Sequence, residues 1–261
     1  MSDLRAFDPL VHELDRWRAG GRAATFWWRD DDACAESPAL ARLLSLATRH
    51  RVPVAIAAIP ALVAPSLVAA IARCDFAVVV QHGYAHRNRA MEGGRSAELV
   101  DGDATLADLA RGRVIVERAF GERFAPILVP PWNRIADGLL PSLRDGGYAG
   151  LSRFGPRASR LAAAGVVEVN THVDPIAWRR GRAFAGIETC VARIVEHLRS
   201  RRAGACDARE PTGLLTHHLA FGDDAFAFTD AVLAVTRGHD AARWLDARAA
   251  FEGELTCVRS A

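Results

Sequence analysis

The chain has 261 residues, half of them apolar, enough for one large domain or two small ones without disulfide support. Its 33 basic and 31 acidic residues leave a formal net charge of +2, so no long-range field points to nucleic acid or an anionic membrane. Five cysteines, at 34, 74, 190, 206 and 257, lack CxxC spacing and read as reduced thiols. No apolar run spans a bilayer, and the opening residues lack the basic-then-apolar pattern of a secretory leader. A soluble, cytoplasmic protein is expected.

Short β-rich runs fall near 24–29, 52–58, 76–81, 126–129, 148–152, 166–170 and 213–216. Between the first two, Leu40, Leu43, Leu44 and Ala47 recur at helical spacing within 36–50. Further helices are expected over 61–73, 106–120, 137–145, 187–202 and 225–237. The polar, glycine-containing stretch 88–103 reads as a mobile loop, and 203–212 as a surface loop. The arginine knot at Arg199, Arg201 and Arg202 reads as a solvated helix end rather than a nucleic-acid patch. Strands alternating with helices imply parallel pairing through right-handed crossovers. Seven such units suit a closed or nearly closed (β/α)7 barrel better than an open sheet. One domain is expected over 1–261, with its core at about 22–250.

Several of these strands end in residues that carry chemistry. Phe26-Trp27-Trp28-Arg29 runs into Asp30, Asp31 and Asp32, three acids that repel one another unless a cation or Arg29 compensates. Alternate side chains of a strand point to opposite sides, so the three acids do not share one role. Taken alone, they also suit a polar turn before the helix at Glu36. His82 and His86 stand four apart after the third strand, with Gly83 permitting a tight turn between. One carboxylate and these two imidazoles match the protein ligands of a catalytic zinc-type ion, with positions left for water and substrate. Pro130-Pro131-Trp132-Asn133-Arg134 is a rigid turn whose tryptophan suits a sugar face or an acyl pocket. His172 and Asp174 follow the sixth strand, and His217 and His218 follow the last. Barrels assemble active sites at the C-terminal ends of several strands, so five such ends together point to one site.

In this order the sequence resembles the polysaccharide deacetylase family, carbohydrate esterase family four, from roughly residue 24 to 220. The resemblance implies a distorted barrel of the glycoside hydrolase/deacetylase type. It aligns Asp31 with the general base and Asp32 with a metal ligand; Ala33 stands where the family has glycine, so the register with Asp30 as base and Asp31 as ligand stays open. His82 and His86 match the family's His-x-x-x-His ligands. Val129-Pro130-Pro131-Trp132 matches a motif whose arginine is missing here, leaving Arg29 or Arg134 to hold the base. Asp174 is the candidate for the acid that orients such an arginine. Leu215-Thr216-His217 matches the motif of the general acid, with His218 as the other possibility.

What the resemblance implies is hydrolysis of a sugar N-acetyl group by a divalent metal, Zn2+ first, with Co2+, Mn2+ or Ni2+ as substitutes. Trp132 would supply an oxyanion N–H, and Asp174 or His172 would tune His217. The partner is a carbohydrate or glycoconjugate. The competing expectations are another metal-dependent C–N or ester hydrolase on the same barrel, and a binding module that has lost catalysis.

Overall fold

A computed structural model describes residues 4–255. Its helices are α1 (Asp8–Ala19), α2 (Pro38–His50), α3 (Pro65–Ala72), α4 (Asp103–Phe120), α5 (Ile187–Ala203), α6 (Asp223–Arg237) and α7 (Ala247–Leu255). The strands are β1 (Ala24–Ala33), β2 (Val54–Ala58), β3 (Ala77–His82), β4 (Phe124–Val129), β5 (Gly150–Leu151), β6 (Leu161–Ala163), β7 (Val166–Glu168), β8 (Ile176–Ala177), β9 (Ala183–Phe184), β10 (Thr212–Thr216) and β11 (Ala242–Trp244). Helix α2 illustrates how sequence sets the boundaries. Ser37 Oγ accepts the Leu40 N–H at 3.1 Å, Pro38 needs no partner for the N–H it lacks, and Leu40, Leu43, Leu44 and Ala47 form the buried face.

The main sheet runs β10-β1-β2-β3-β4-β5-β7-β6, with β11 added along the start of β1. All of its pairs are parallel except β6–β7. Beyond β7 the chain returns to β10. His172 and Val173 donate their N–H groups to the Gly213 carbonyl at 2.8 and 3.1 Å, and Leu215 donates to Val173 at 2.8 Å. One parallel bridge, Val173 to Leu214, thus joins the two ends of the sheet where a full ladder is missing. The seven parallel strands β10, β1, β2, β3, β4, β5 and β7, joined at the gap only by that bridge, have the distorted (β/α)7 barrel-like arrangement that the sequence implies.

Side-chain parity decides what faces inward. Phe26 and Trp28 enter the layer between sheet and helices, whereas Trp27 joins Ala55, Val80, Ile127, Val129 and Val167 in the interior. Phe251 of α7 meets Trp27 edge-on at 5.8 Å. A Cβ on Gly150 would come within 2.5 Å of the Phe251 ring, so glycine lets α7 seat there.

The structure corrects several sequence expectations. The core extends past 22–250, because Leu10, Leu14 and Trp17 of α1 and Phe251 of α7 are all buried. Residues 137–145 form no α-helix; Asp137–Ser142 is a 3-10 stretch interrupted by Pro141, whose ring and missing N–H oppose an α-helical turn. Segment 203–212 is not wholly superficial, since Glu210 is fully buried and accepts the Arg157 and Asn170 N–H groups. Arg201 is only 1% exposed and donates to Thr25 and Thr212, while Arg202 pairs with Glu13 of α1. Of that knot, only Arg199 is exposed. Cys34, Cys74, Cys190 and Cys206 are free thiols, and Cys257 lies outside the described residues. No helix among the described residues is long and apolar enough to cross a membrane.

Candidate active site and metal centre

The acids of β1 separate because the strand is interrupted. Asp30 pairs with Ile56 and Ala33 with Ala58, so β1 spends one more residue than β2 across this interval. That bulge holds Asp32 at φ 72°, outside the strand region, and re-aims its side chain. Asp31 keeps the inward parity of Trp27 and Arg29. Asp30 keeps the outward parity, where its carboxylate accepts the Thr216 hydroxyl at 2.7 Å and the His218 N–H at 3.0 Å and contacts His218 Nδ1 at 2.5 Å. Asp30 therefore ties β1 to the end of β10, and His218 is turned toward it.

Asp32 Oδ1 lies 3.1 Å from His82 Nε2 and 3.2 Å from His86 Nε2. Burial alone would raise the Asp32 carboxyl, but the hydrogen bond and charge of His82, then the charges of His217 and His86, outweigh it and hold it well below the ordinary carboxylate range. Burial pulls His82 down, yet Asp31 and Asp32 raise it above the usual histidine value. Burial and then His82 lower His86.

These residues fit a divalent cation. His82 Nδ1 donates to the Val129 carbonyl at 3.1 Å, which leaves Nε2 without a proton on the neutral ring. An imidazole lone pair and a carboxylate oxygen facing each other at 3.1 Å repel unless a proton or a metal lies between them. Two ligand atoms about 2.1 Å from one tetrahedral ion stand roughly 3.4 Å apart, close to the observed spacings. Asp32, His82 and His86 are the residues that would hold it.

Beside this triad, Arg29 grips Asp31. Its Nε and Nη2 donate to the two carboxylate oxygens at 2.8 and 3.0 Å, and both side chains are nearly inaccessible. The guanidinium is held in turn by Ser152 Oγ at 2.6 Å, the Ser152 and Arg153 carbonyls at 3.1 and 3.2 Å, and Asn133 Oδ1 at 2.7 Å. Arg29 thus occupies the place for which Arg29 and Arg134 competed. Arg134 instead donates to the Ser96 carbonyl at 2.6 Å. Asp174 does not touch Arg29; its carboxylate accepts the Ile176 N–H and the Trp178 indole N–H, and stands 3.9 Å from His217 Nδ1. Burial raises the Asp174 carboxyl, against the opposing charge of His217. The His217 ring meets Trp178 edge-on at 4.7 Å, and on the other side Trp132 stands 4.3 Å from the His86 ring.

No protein-family profile and no curated sequence matches the chain. Solved structures do match. A Mycobacterium smegmatis protein assigned as a polysaccharide deacetylase superposes with a TM-score of 0.64 at 17% identity, covering 91% of this chain and 92% of its own. A mutant of a carbohydrate esterase family four pseudoenzyme gives 0.57 at 14%, covering 88% and 67%. A family four acetyl xylan esterase from Clostridium thermocellum, bound to a cobalt ion, gives 0.55 at 13%, covering 87% and 90%. The chain has the polysaccharide deacetylase fold.

Within this deacetylase fold, His172 lies elsewhere than expected. Its Nδ1 accepts the Gly213 N–H at 2.9 Å, its ring stacks on His197 at 3.5 Å, and Nε2 is 3.4 Å from Glu210. Burial and then Arg201 lower its pKa to about 3, while burial and then His172 lower His197 to about 2. With Nδ1 accepting, the neutral His172 ring carries its proton on Nε2, so this His–His–Glu group lacks the tautomer that a metal ligand needs. His172 does not contact His217 and supports the barrel seam instead.

Sequence reasoning missed Ser152, Asn133 and Glu98. The last is 1% exposed and sits inside the loop after β3, accepting N–H groups of Tyr84, Ala85 and Arg87 at 3.0, 2.8 and 3.4 Å. Gly83, at φ 52°, has no room for a side chain, because a Cβ would fall 2.1 Å from Glu98 Oε2. Stretch 88–103 is therefore a loop beside the site, but one whose carboxylate fixes the turn carrying His86. Glu98→Gln replaces one acceptor oxygen by an NH2 group facing backbone donors. A roughly tenfold loss of zinc affinity is expected in competition with a chromogenic chelator, in the range typical of groups that orient ligands. Wild-type affinity would remove Glu98 from that role.

Proposed function

We propose that this chain is a metal-dependent hydrolase that removes an N-acetyl group from a sugar or sugar conjugate. The observation that carries the reading is the pairing of an arginine-clamped carboxylate, Asp31, with a neighbouring Asp32–His82–His86 donor set and a histidine, His217, that stands beside Asp174 and near enough for its charge to act on Asp32. When bound, a divalent cation, zinc first, would polarise the acetyl carbonyl and make water easier to deprotonate. Asp31 takes the water proton as general base, and the Arg29 clamp prevents its carboxylate from rotating away. The Trp132 N–H donates to the developing oxyanion, in the turn that Arg29 braces through Asn133. His217, protonated, gives its proton to the leaving amine, with Asp174 stabilising the charged ring. Base and acid need opposite protonation states, so acetate release should be bell-shaped in pH.

Cytoplasmic location and a glycoconjugate precursor as substrate are part of this proposal. A second reading, a carbohydrate-binding protein without catalysis, draws on the pseudoenzyme among the structural neighbours. The clamped base and the opposed histidine favour hydrolysis. Protein purified without chelator is expected to carry about one equivalent of metal, and His82→Ala to lose it. Metal-free wild-type protein would sink the ligand assignment. Failure to release acetate from N-acetylhexosamine conjugates of any class would favour the binding reading.

A further inference from the structure

The mouth of the site is framed by two tryptophans, each followed closely by arginine. On one side Trp132 stands against His86, and Arg134 lies two residues on, fixed by its bond to the Ser96 carbonyl beside Arg95. On the other side Trp178 is bonded to Asp174 and packed on His217; Arg179 follows it, and the Arg182 guanidinium lies 5.7 Å over its ring. The Trp132–His86 and Trp178–His217 contacts set these two arginine-bearing segments on either side of the site, and Arg134 is close enough to Arg95 and Arg179 that, after burial, their charges lower its basicity.

Elsewhere on the surface arginines are commonly neutralised, as in Arg42–Asp223, Arg49–Asp230 and Arg73–Glu36. Among the described residues Arg134 is bonded to a carbonyl and Arg182 lies over a ring, and none of Arg95, Arg134, Arg179 or Arg182 has an ion pair with a carboxylate. Arginines gathered at the rim of the site without acidic partners are open to an anion, which would relieve their mutual repulsion. The overall charge of only +2 makes this a local arrangement rather than a general basic character.

We propose that the substrate carries a phosphate or diphosphate ester next to the N-acetyl sugar, received by Arg134 together with Arg95 and Arg179. The proposal rests on the deacetylase reading and adds the substrate class. A phosphate ester has the charge and the several acceptor oxygens to engage more than one guanidinium, whereas a carboxylate is satisfied by one fork. A nucleoside diphosphate sugar and a prenyl-phosphate sugar both present this chemistry.

The test uses full-length, metal-loaded Asp31→Asn protein, whose turnover is lowered roughly a thousandfold, and calorimetry with N-acetylglucosamine 1-phosphate and N-acetylglucosamine. The phosphorylated sugar is expected to bind at least about tenfold tighter, and Arg134→Ala or the exposed Arg179→Ala to lose about tenfold of that affinity. Equal affinity for the two sugars would overturn the proposal. So would tight binding that survives both substitutions, since contact through the metal alone is indifferent to these arginines. In the Asp31-intact protein, the ratio of kcat/KM for charged over neutral sugars should fall toward one on Arg134→Ala. Comparing a nucleoside diphosphate sugar with a prenyl-phosphate sugar in micelles names the source, and either one binding tighter than the neutral sugar supports the site. Arginine-dependent binding without acetate release would retire the deacetylase reading and leave the anion site standing. Equal turnover of neutral and charged sugars would do the reverse.

Discussion

Asp31→Asn is expected to lower kcat for acetate release by roughly a thousandfold, within the range general-base removal produces. The substitution keeps the shape of the side chain and removes its ability to take a proton. Metal binding should persist, because the donor set of Asp32 and the two histidines does not include Asp31. Arg29 stays anchored through Ser152, Asn133 and the Arg153 carbonyl, so the local fold has partners left. Kinetics and metal content measured on the same preparation separate the two roles. A kcat within about tenfold of wild type would show that Asp31 is not the base; loss of metal would move the boundary between base and ligand to a different aspartate.

Arg29→Met is expected to destabilise the protein by about 3–5 kcal/mol, the cost of leaving one member of a buried ion pair uncompensated. The reason is the depth of the pair: the arginine and aspartate side chains are 0% and 3% exposed. Removing the guanidinium leaves the buried Asp31 carboxylate without its counter-charge. It also releases Asn133 and Ser152, so the turn bearing Trp132 loses a brace and activity should fall with stability. Urea denaturation of the single and double variants gives the check. Arg29→Met/Asp31→Asn should recover part of the loss, because the uncompensated charge is gone. A double variant less stable than Arg29→Met by the full cost of Asp31→Asn would show that the two residues act independently.

Much of this site is legible in the chain because its residues sit at strand ends, where an apolar run fixes the backbone and the next residues are delivered to the rim. Periodicity gave the seven parallel strands and most of the helices around them. It did not reveal α7: Phe251 matters through the void it fills beneath Trp27 and over Gly150, a relation between distant segments. The short extensions Leu161–Ala163, Ile176–Ala177 and Ala183–Phe184 are too brief to carry a period. Glu98 looked like one more charge in a polar loop, and its carboxylate takes on a role only once three N–H groups converge on it.

The division among the three aspartates shows where sequence stops. Alternation along a strand already says that neighbouring acids face different ways, and Arg29, two residues before Asp31, has the parity to pair with it. The sequence by itself therefore determined the barrel class, the strand ends that meet, and the set of acids and histidines from which the site is drawn. The tertiary structure set the three side chains apart, because the extra residue in β1 against β2 and the left-handed φ of Asp32 come from strand pairing across the sheet. It also parted His217 from His218, through the bond of His218 to an outward-facing Asp30, and moved His172 to the seam against Gly213 and His197. Which face a side chain takes at a bulge or a seam depends on partners far away in the chain, and only folding brings those partners together.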